Sequence, residues 1–197
     1  MPTNSAIYLY PPLLRYGALA GGWVERIRIL ADAERVRAQI FRVDDGIFGG
    51  KDPYAIAWAE DYGADLLIVD AAGNPLTDIL RMLIRQTIAT AMRADASHKE
   101  MAGILRSMYA FSPNAAQIIA TTEIGLANGY GGLAGAIAVG AKAKRWLVSN
   151  DPGVCDGCSA NAAQGWISID TPYASGALAP LDHAGCRCDA AYRRKLP

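Results

Sequence analysis

All four cysteines and one of the two histidines fall between residues 155 and 188, as Cys155-Asp-Gly-Cys158, a connection through Trp166, then His183-Ala-Gly-Cys186-Arg-Cys188. Two thiols separated by two residues can grip one ion from a tight turn, with Asp156-Gly157 expected to reverse the backbone and aim both sulfurs inward. The His-x-x-Cys-x-Cys half adds three donors, so five candidates compete for the four corners of a tetrahedral structural zinc site. The first choice is Cys155, Cys158, His183 and Cys186, with Cys188 as the substitute for His183. The sequence leaves both sets open.

A free cysteine titrates near about 8.5, whereas bound Zn²⁺ deprotonates the thiol outright, so one ion would balance the charge of several thiolates. A structural zinc contributes about 10 to 16 kcal/mol in small peptides, comparable to the whole stability of a domain at about 5 to 15 kcal/mol. The C-terminal quarter is therefore expected to fold on its metal. Two disulfides or four unlinked buried thiols are the competing readings, and the spacing favours metal in a chain that is not secreted. A catalytic zinc is disfavoured, because four protein donors leave no open position for water.

The chain that positions these donors has 197 residues, 52% of them hydrophobic, with 19 basic against 19 acidic side chains. That describes a globular protein with a core of its own. Net charge near zero argues against a dominant nucleic-acid footprint. Met1-Pro2-Thr3-Asn4-Ser5 has no basic region followed by an apolar run, so synthesis in a reducing cytoplasm is expected. Ile124 to Ala141 carries no charge, but it is rich in Gly and Ala and short for a span of about 20 residues. A packed soluble helix is the expectation there, with no membrane span.

The reading is α+β: a mainly helical body with a small C-terminal zinc-stapled β module. Residues 1–50 are expected to form an N-terminal arm, with Tyr8, Tyr10, Pro11-Pro12 and Tyr16, followed by an amphipathic helix from Trp23 to about Arg42. Its aromatic residues are expected to pack onto the parent domain, with a neighbouring subunit as the alternative. Residues 51–143 form the helical body. A short helix is predicted from Pro53 to Tyr62, and Leu66-Leu67-Ile68-Val69 reads as a buried strand or a helix end. Gly73-Asn74-Pro75 is a turn.

The next helix has a wide apolar face of Leu76, Leu80, Leu83, Ile84, Ile88, Ala91 and Met92, and the one after repeats Met101, Ile104, Leu105 and Met108 at core spacing. Ser112-Pro113 is an N-cap with proline in the first turn, opening a helix to about Gly140. Leu126, Tyr130, Leu133 and Ile137 line one side of it. Its interior glycines, Gly125, Gly129, Gly131, Gly132 and Gly135, each cost about 1 kcal/mol against alanine, which predicts close packing against another backbone, with Gly131-x-x-x-Gly135 clearing one face. Residues 144–197 form the Cys/His module, with strands around Trp146-Leu147-Val148 and Trp166-Ile167-Ser168-Ile169. Both tryptophans are expected in its small core.

Thr122-Glu123, Lys144-x-Trp146, Asn150-Asp151, Val154-Cys155-x-x-Cys158, Tyr173-x-x-Gly176, Pro180, His183 and Cys186-Arg187-Cys188 together resemble the Mu F-like domain of phage head morphogenesis proteins, also called minor head or minor capsid proteins. The resemblance is dense from about Ala120 to Cys188 and weaker back to about Leu76. The chain departs from the family pattern at Thr121, where arginine is usual, at Ala179-Pro180 in place of paired prolines, and at Ala184 in place of proline. The resemblance implies a virion component made in the host cytoplasm and acting near the portal in head assembly or DNA packaging. Its partners would be the portal protein or the major capsid protein. The locally basic end, Arg187, Arg193, Arg194 and Lys195, is the candidate contact with packaged DNA, although such a tail is ordinarily solvated.

Two enzymatic alternatives are weighed against this structural role. Some phage head proteins of this class carry ADP-ribosyltransferase domains, and Glu123 could be cast as a catalytic carboxylate. However, no partner arginine precedes it, no phosphate loop is present, and a glutamate in the first turns of a helix is accounted for by the dipole. A metal-dependent nuclease would generally need more than one histidine at its site. His98 stands at an expected helix start and reads as a surface residue.

Overall fold

The computed structural model describes residues 52–149 and 153–195. The expected arm and the Trp23–Arg42 helix lie outside the described residues.

The first described helix, α1, spans Pro53–Tyr62 as its sequence predicts: Asp52 caps it by accepting from the Tyr54 N–H at 2.9 Å, and Pro53 opens the first turn. The Leu66–Val69 segment forms no strand beyond a single bridge between Val69 and Pro75. Leu66 and Leu67 are buried while Ile68 is 40% exposed, because the chain turns back at once. Asp70 accepts from the Ala72 and Asn74 N–H groups at 2.9 Å each, which sets that turn.

Helix α2, Asp78–Arg93, is capped by Thr77. Leu76 therefore precedes the helix, and its apolar face is narrower than expected, burying Ile84, Ile88, Ala91 and Met92 but leaving Leu83 42% exposed. Helix α3, His98–Tyr109, starts on a reciprocal capping box in which Ser97 Oγ accepts from the Glu100 N–H and Glu100 Oε2 from the Ser97 N–H. Met101 and Leu105 enter the core, but Met108 is 61% exposed. Met108 lies on the same stripe as Met101 but at the last turn of this short helix, where no neighbour among the described residues covers it.

Helix α4, Pro113–Ala138, is the centre of the body, with Ser112 capping it and Pro113 in its first turn as expected. Helices α1 and α3 pack directly on it, and Trp58 of α1 stacks on Tyr130 with ring centroids 5.6 Å apart. Gly125, Gly129 and Gly131 serve close approach, on two sides of the helix, while a Cβ on Gly132 would make only ordinary contact with Tyr192 at 3.8 Å. A Cβ on Gly131 would come 2.7 Å from Ala55 Cα of α1, and one on Gly125 would come 3.2 Å from Leu181 Cγ. A Cβ on Gly129 would overlap the Pro180 carbonyl oxygen and sit 2.7 Å from its carbon. Among the described residues no helix is long and apolar enough to cross a membrane.

A three-stranded antiparallel sheet follows, with β1 (Ala143–Leu147) between β2 (Ile167–Ser168) and β3 (Asp189–Arg193). The architecture is α+β, a mainly helical body with a small C-terminal β module. One buried cluster runs through both, from Leu67 and Ile119 to Trp146 and Leu181.

Two expectations fail in the module. Asp189–Arg193 is a paired strand and not part of a solvated tail. The residues between Cys155 and Cys158 do not form a bare turn but open helix α5, Asp156–Ala163. Cys155 is its N-cap, its sulfur accepting from the Cys158 N–H at 3.3 Å.

Candidate metal centre

The helical start of α5 explains how a C-x-x-C pair converges: the cap residue and the N3 residue lie on the same side of the first turn. The second half arrives on a loop. Gly185 adopts φ +74°, a left-handed conformation that suits glycine, and the Cys186 N–H closes the turn on the His183 carbonyl at 3.1 Å. This loop also touches the body, with the Gly185 N–H directed at Thr122 Oγ1 of α4 at 3.4 Å.

All five expected donors meet. Cys155 Sγ lies 3.4 Å and Cys158 Sγ 3.7 Å from His183 Nε2, and the Cys158 and Cys186 sulfurs are 3.6 Å apart. Around a tetrahedral zinc with bonds of about 2.3 Å to sulfur and 2.0 Å to nitrogen, such edges measure about 3.5 to 3.8 Å. The donors form two groups, Cys155, Cys158 and His183 in one and Cys158, Cys186 and Cys188 in the other, each with ligand atoms within 4.8 Å of one another. Cys158 belongs to both and is the pivot. The five line a cavity of about 20 Å³, a volume on the scale of one water-sized sphere, about 10 to 15 Å³. The cluster could hold a metal ion.

The surroundings prepare the donors for a cation. His183 Nδ1 lies 3.0 Å from the Ala184 carbonyl, and a proton shared there leaves the Nε2 lone pair facing the sulfurs. Burial, followed by the neighbouring Cys186 thiol, pushes the Cys158 thiol far above its ordinary value, and burial also raises Cys188. These thiols resist ionising without a positive partner. All four cysteines are free, and the 3.6 Å between the Cys158 and Cys186 sulfurs is far longer than a disulfide bond of about 2.05 Å.

Two buried polar groups lie outside the Cys/His motif itself. Lys144, on the inner side of β1, is fully buried; its ammonium donates to the Leu178 carbonyl at 2.7 Å and sits 4.9 Å from the Tyr173 ring centroid. Burial lowers its pKa to about 7, against an opposing pull from Asp170. Asp182 is buried beside His183 with neither carboxylate oxygen hydrogen-bonded. A Cβ on Gly157 would come 3.1 Å from its Oδ2, so this carboxylate faces the first turn of α5, where the helix dipole favours negative charge. An acidic residue beside a candidate ligand histidine was the available signal.

Glu123 differs from its expected setting. It lies in the middle of α4, 1% exposed, and its Oε2 accepts from the Ala64 N–H at 3.0 Å. The helix dipole does not account for it; a buried loop donor does. His98 is exposed at the start of α3, as read from the sequence. Trp146 is in the core, edge-on to Tyr173 at 4.9 Å, but Trp166 is only partly buried.

Comparison with protein-family models, curated proteins and solved structures gives no match for this chain.

Proposed function

We propose that this protein is a structural minor head protein of a tailed phage, acting at or near the portal in head assembly or DNA packaging. Its C-terminal module is held by one zinc ion on Cys155, Cys158, His183 and Cys186, with Cys188 the alternative to His183. The observation that carries this reading is that all five donors of the Mu F-like pattern line one cavity, with Cys155, Cys158, His183 and Cys186 linked by three contacts at tetrahedral edge lengths. Zinc is favoured over other ions because three thiolates and an imidazole at tetrahedral spacing suit a borderline-soft d¹⁰ cation in a closed structural site.

The other residues of the pattern also have structural settings. Thr122 and Glu123 pin two loops to α4, and Lys144 ties β1 to the Leu178 backbone. Glu123 is sealed from solvent, which weighs against the ADP-ribosyltransferase alternative, since a catalytic carboxylate must reach its substrate. The portal protein and the major capsid protein are the proposed partners, and the virion, after assembly in the host cytoplasm, the proposed location.

Elemental analysis of protein purified without chelator should find about one zinc per chain. Purified particles should contain the protein, and its deletion should reduce head yield. Absence from particles together with normal head yield would overturn the head-protein reading, and absence of metal would overturn the zinc.

A further inference from the structure

The pleat of β1 sends Lys144 and Trp146 inward and Ala143 and Arg145 to the opposite face. On that outer face Ala143 pairs with Arg193 of β3 and with Ser168 of β2, and Arg145 pairs with Ala191. The small alanines beside each arginine let the long side chains lie flat. Both reach the same ring: the Arg193 guanidinium carbon is 4.4 Å and that of Arg145 5.3 Å from the Trp166 centroid, within the range of about 6 Å for cation–π attraction.

Among the described residues neither guanidinium has a carboxylate partner. Arg193 Nε is buried with no hydrogen-bond acceptor, and an unsatisfied buried donor costs about 1 to 3 kcal/mol. Two planar cations are thus held ordered on one aromatic ring, with donor capacity unused.

We propose that this face is a docking site for an acidic segment of a protein partner, whose carboxylates are taken by Arg145 and Arg193. A guanidinium recognises a carboxylate through two parallel N–H···O bonds, and stacking on Trp166 removes much of the entropy cost of fixing it. A protein is favoured over nucleic acid by the state of the ring. Trp166 already has both guanidiniums over its ring and is not a free platform for a base. The surface does not depend on the phage-head reading.

The test is fluorescence polarisation of the full chain with a labelled oligoglutamate peptide, alongside a labelled oligothymidine. The peptide should bind, and Arg145→Ala with Arg193→Ala should weaken it by about tenfold or more, equivalent to about 1.4 kcal/mol. Arg145→Lys with Arg193→Lys keeps the charge, and should melt like the wild type yet still lose several-fold in affinity. The proposal is overturned by no peptide binding, by equal binding in either double variant, or by binding of oligothymidine in preference to the peptide.

Discussion

Helix α3 starts on the Ser97–Glu100 capping box and buries Met101, Ala102 and Leu105, whereas α5 starts on a thiol and buries only Cys158 and Asn161. The first is a local structure with a hydrophobic face, complete in its own sequence. The second has almost no apolar face and is tied down by polar contacts, such as Asn161 with Ser175 and Gln164 with the Ala174 N–H. The sheet beside it is no sturdier, since β2 contributes two residues and β3 pairs on one side only. The body is held by apolar burial among its own helices, whereas the module's apolar residues, such as Trp146, Tyr173, Leu178 and Leu181, join the body's core, and on the proposed reading the converged donors must hold the rest.

The largest expected effect follows directly. Cys158→Ser removes the donor shared by both groups, and should abolish the metal and unfold the module while α1 to α4 remain helical. Far-UV circular dichroism should retain most of the helical signal, near-UV signal from Trp146 should disappear, and about one equivalent of zinc should be lost. If the variant keeps its near-UV spectrum, the module is held by packing and the contrast between the two regions is wrong.

The difference also explains what could be read in advance. Ser112-Pro113 and the Met101–Leu105 spacing are local signals that located α4 and α3, and the short helix expected from Pro53 to Tyr62 is α1. The five donors were legible because each is a rare residue type in a tight pattern. Strand β3 was not, because Asp189–Arg193 looks like a charged tail until β1 supplies its partner. Helix α5 was equally hidden: Cys155 caps it in a role ordinarily taken by Ser, Thr, Asp or Asn. Met108 and Leu83 failed for a different reason, since periodicity reports which side of a helix is apolar but not how far its neighbours extend to cover it.

The next effect tests the seam between the regions. Gly129 of α4 faces the strap that leads to His183, and an alanine there would collide with the Pro180 carbonyl. Overpacking of this kind costs about 1 to 3 kcal/mol, partly offset by the helix propensity gained, about 1 kcal/mol. Gly129→Ala should lower the urea midpoint and weaken zinc retention against a chelator together. Loss of stability with unchanged metal affinity would show that the strap and the donors are uncoupled.

A smaller, pH-dependent effect separates the module from the body at Lys144. Burial depresses its folded pKa from 10.5 to about 7, so the unfolded chain binds more protons between these values. The corresponding stability is fully present above about pH 10.5 and is lost as pH falls through about 7. The stability of the wild type relative to Lys144→Met should therefore rise with pH across that window, by at most about 1.4 kcal/mol per pH unit. A flat difference would mean that the amine is hydrated in the folded protein.

The smallest effect has the opposite sign and lies in the body. Gly103 is an exposed interior position of α3, and a Cβ there would meet nothing within 4 Å. Alanine loses less backbone entropy than glycine on entering a helix, so Gly103→Ala should stabilise the protein by about 0.5 to 1 kcal/mol. The same substitution at Gly129 destabilises because there the missing side chain is the space that the module's strap occupies. Urea titration of the two variants side by side checks this. Should both change stability in the same direction, α4 would not be the surface on which the strap is seated, and the body would have no part in presenting His183 to the metal.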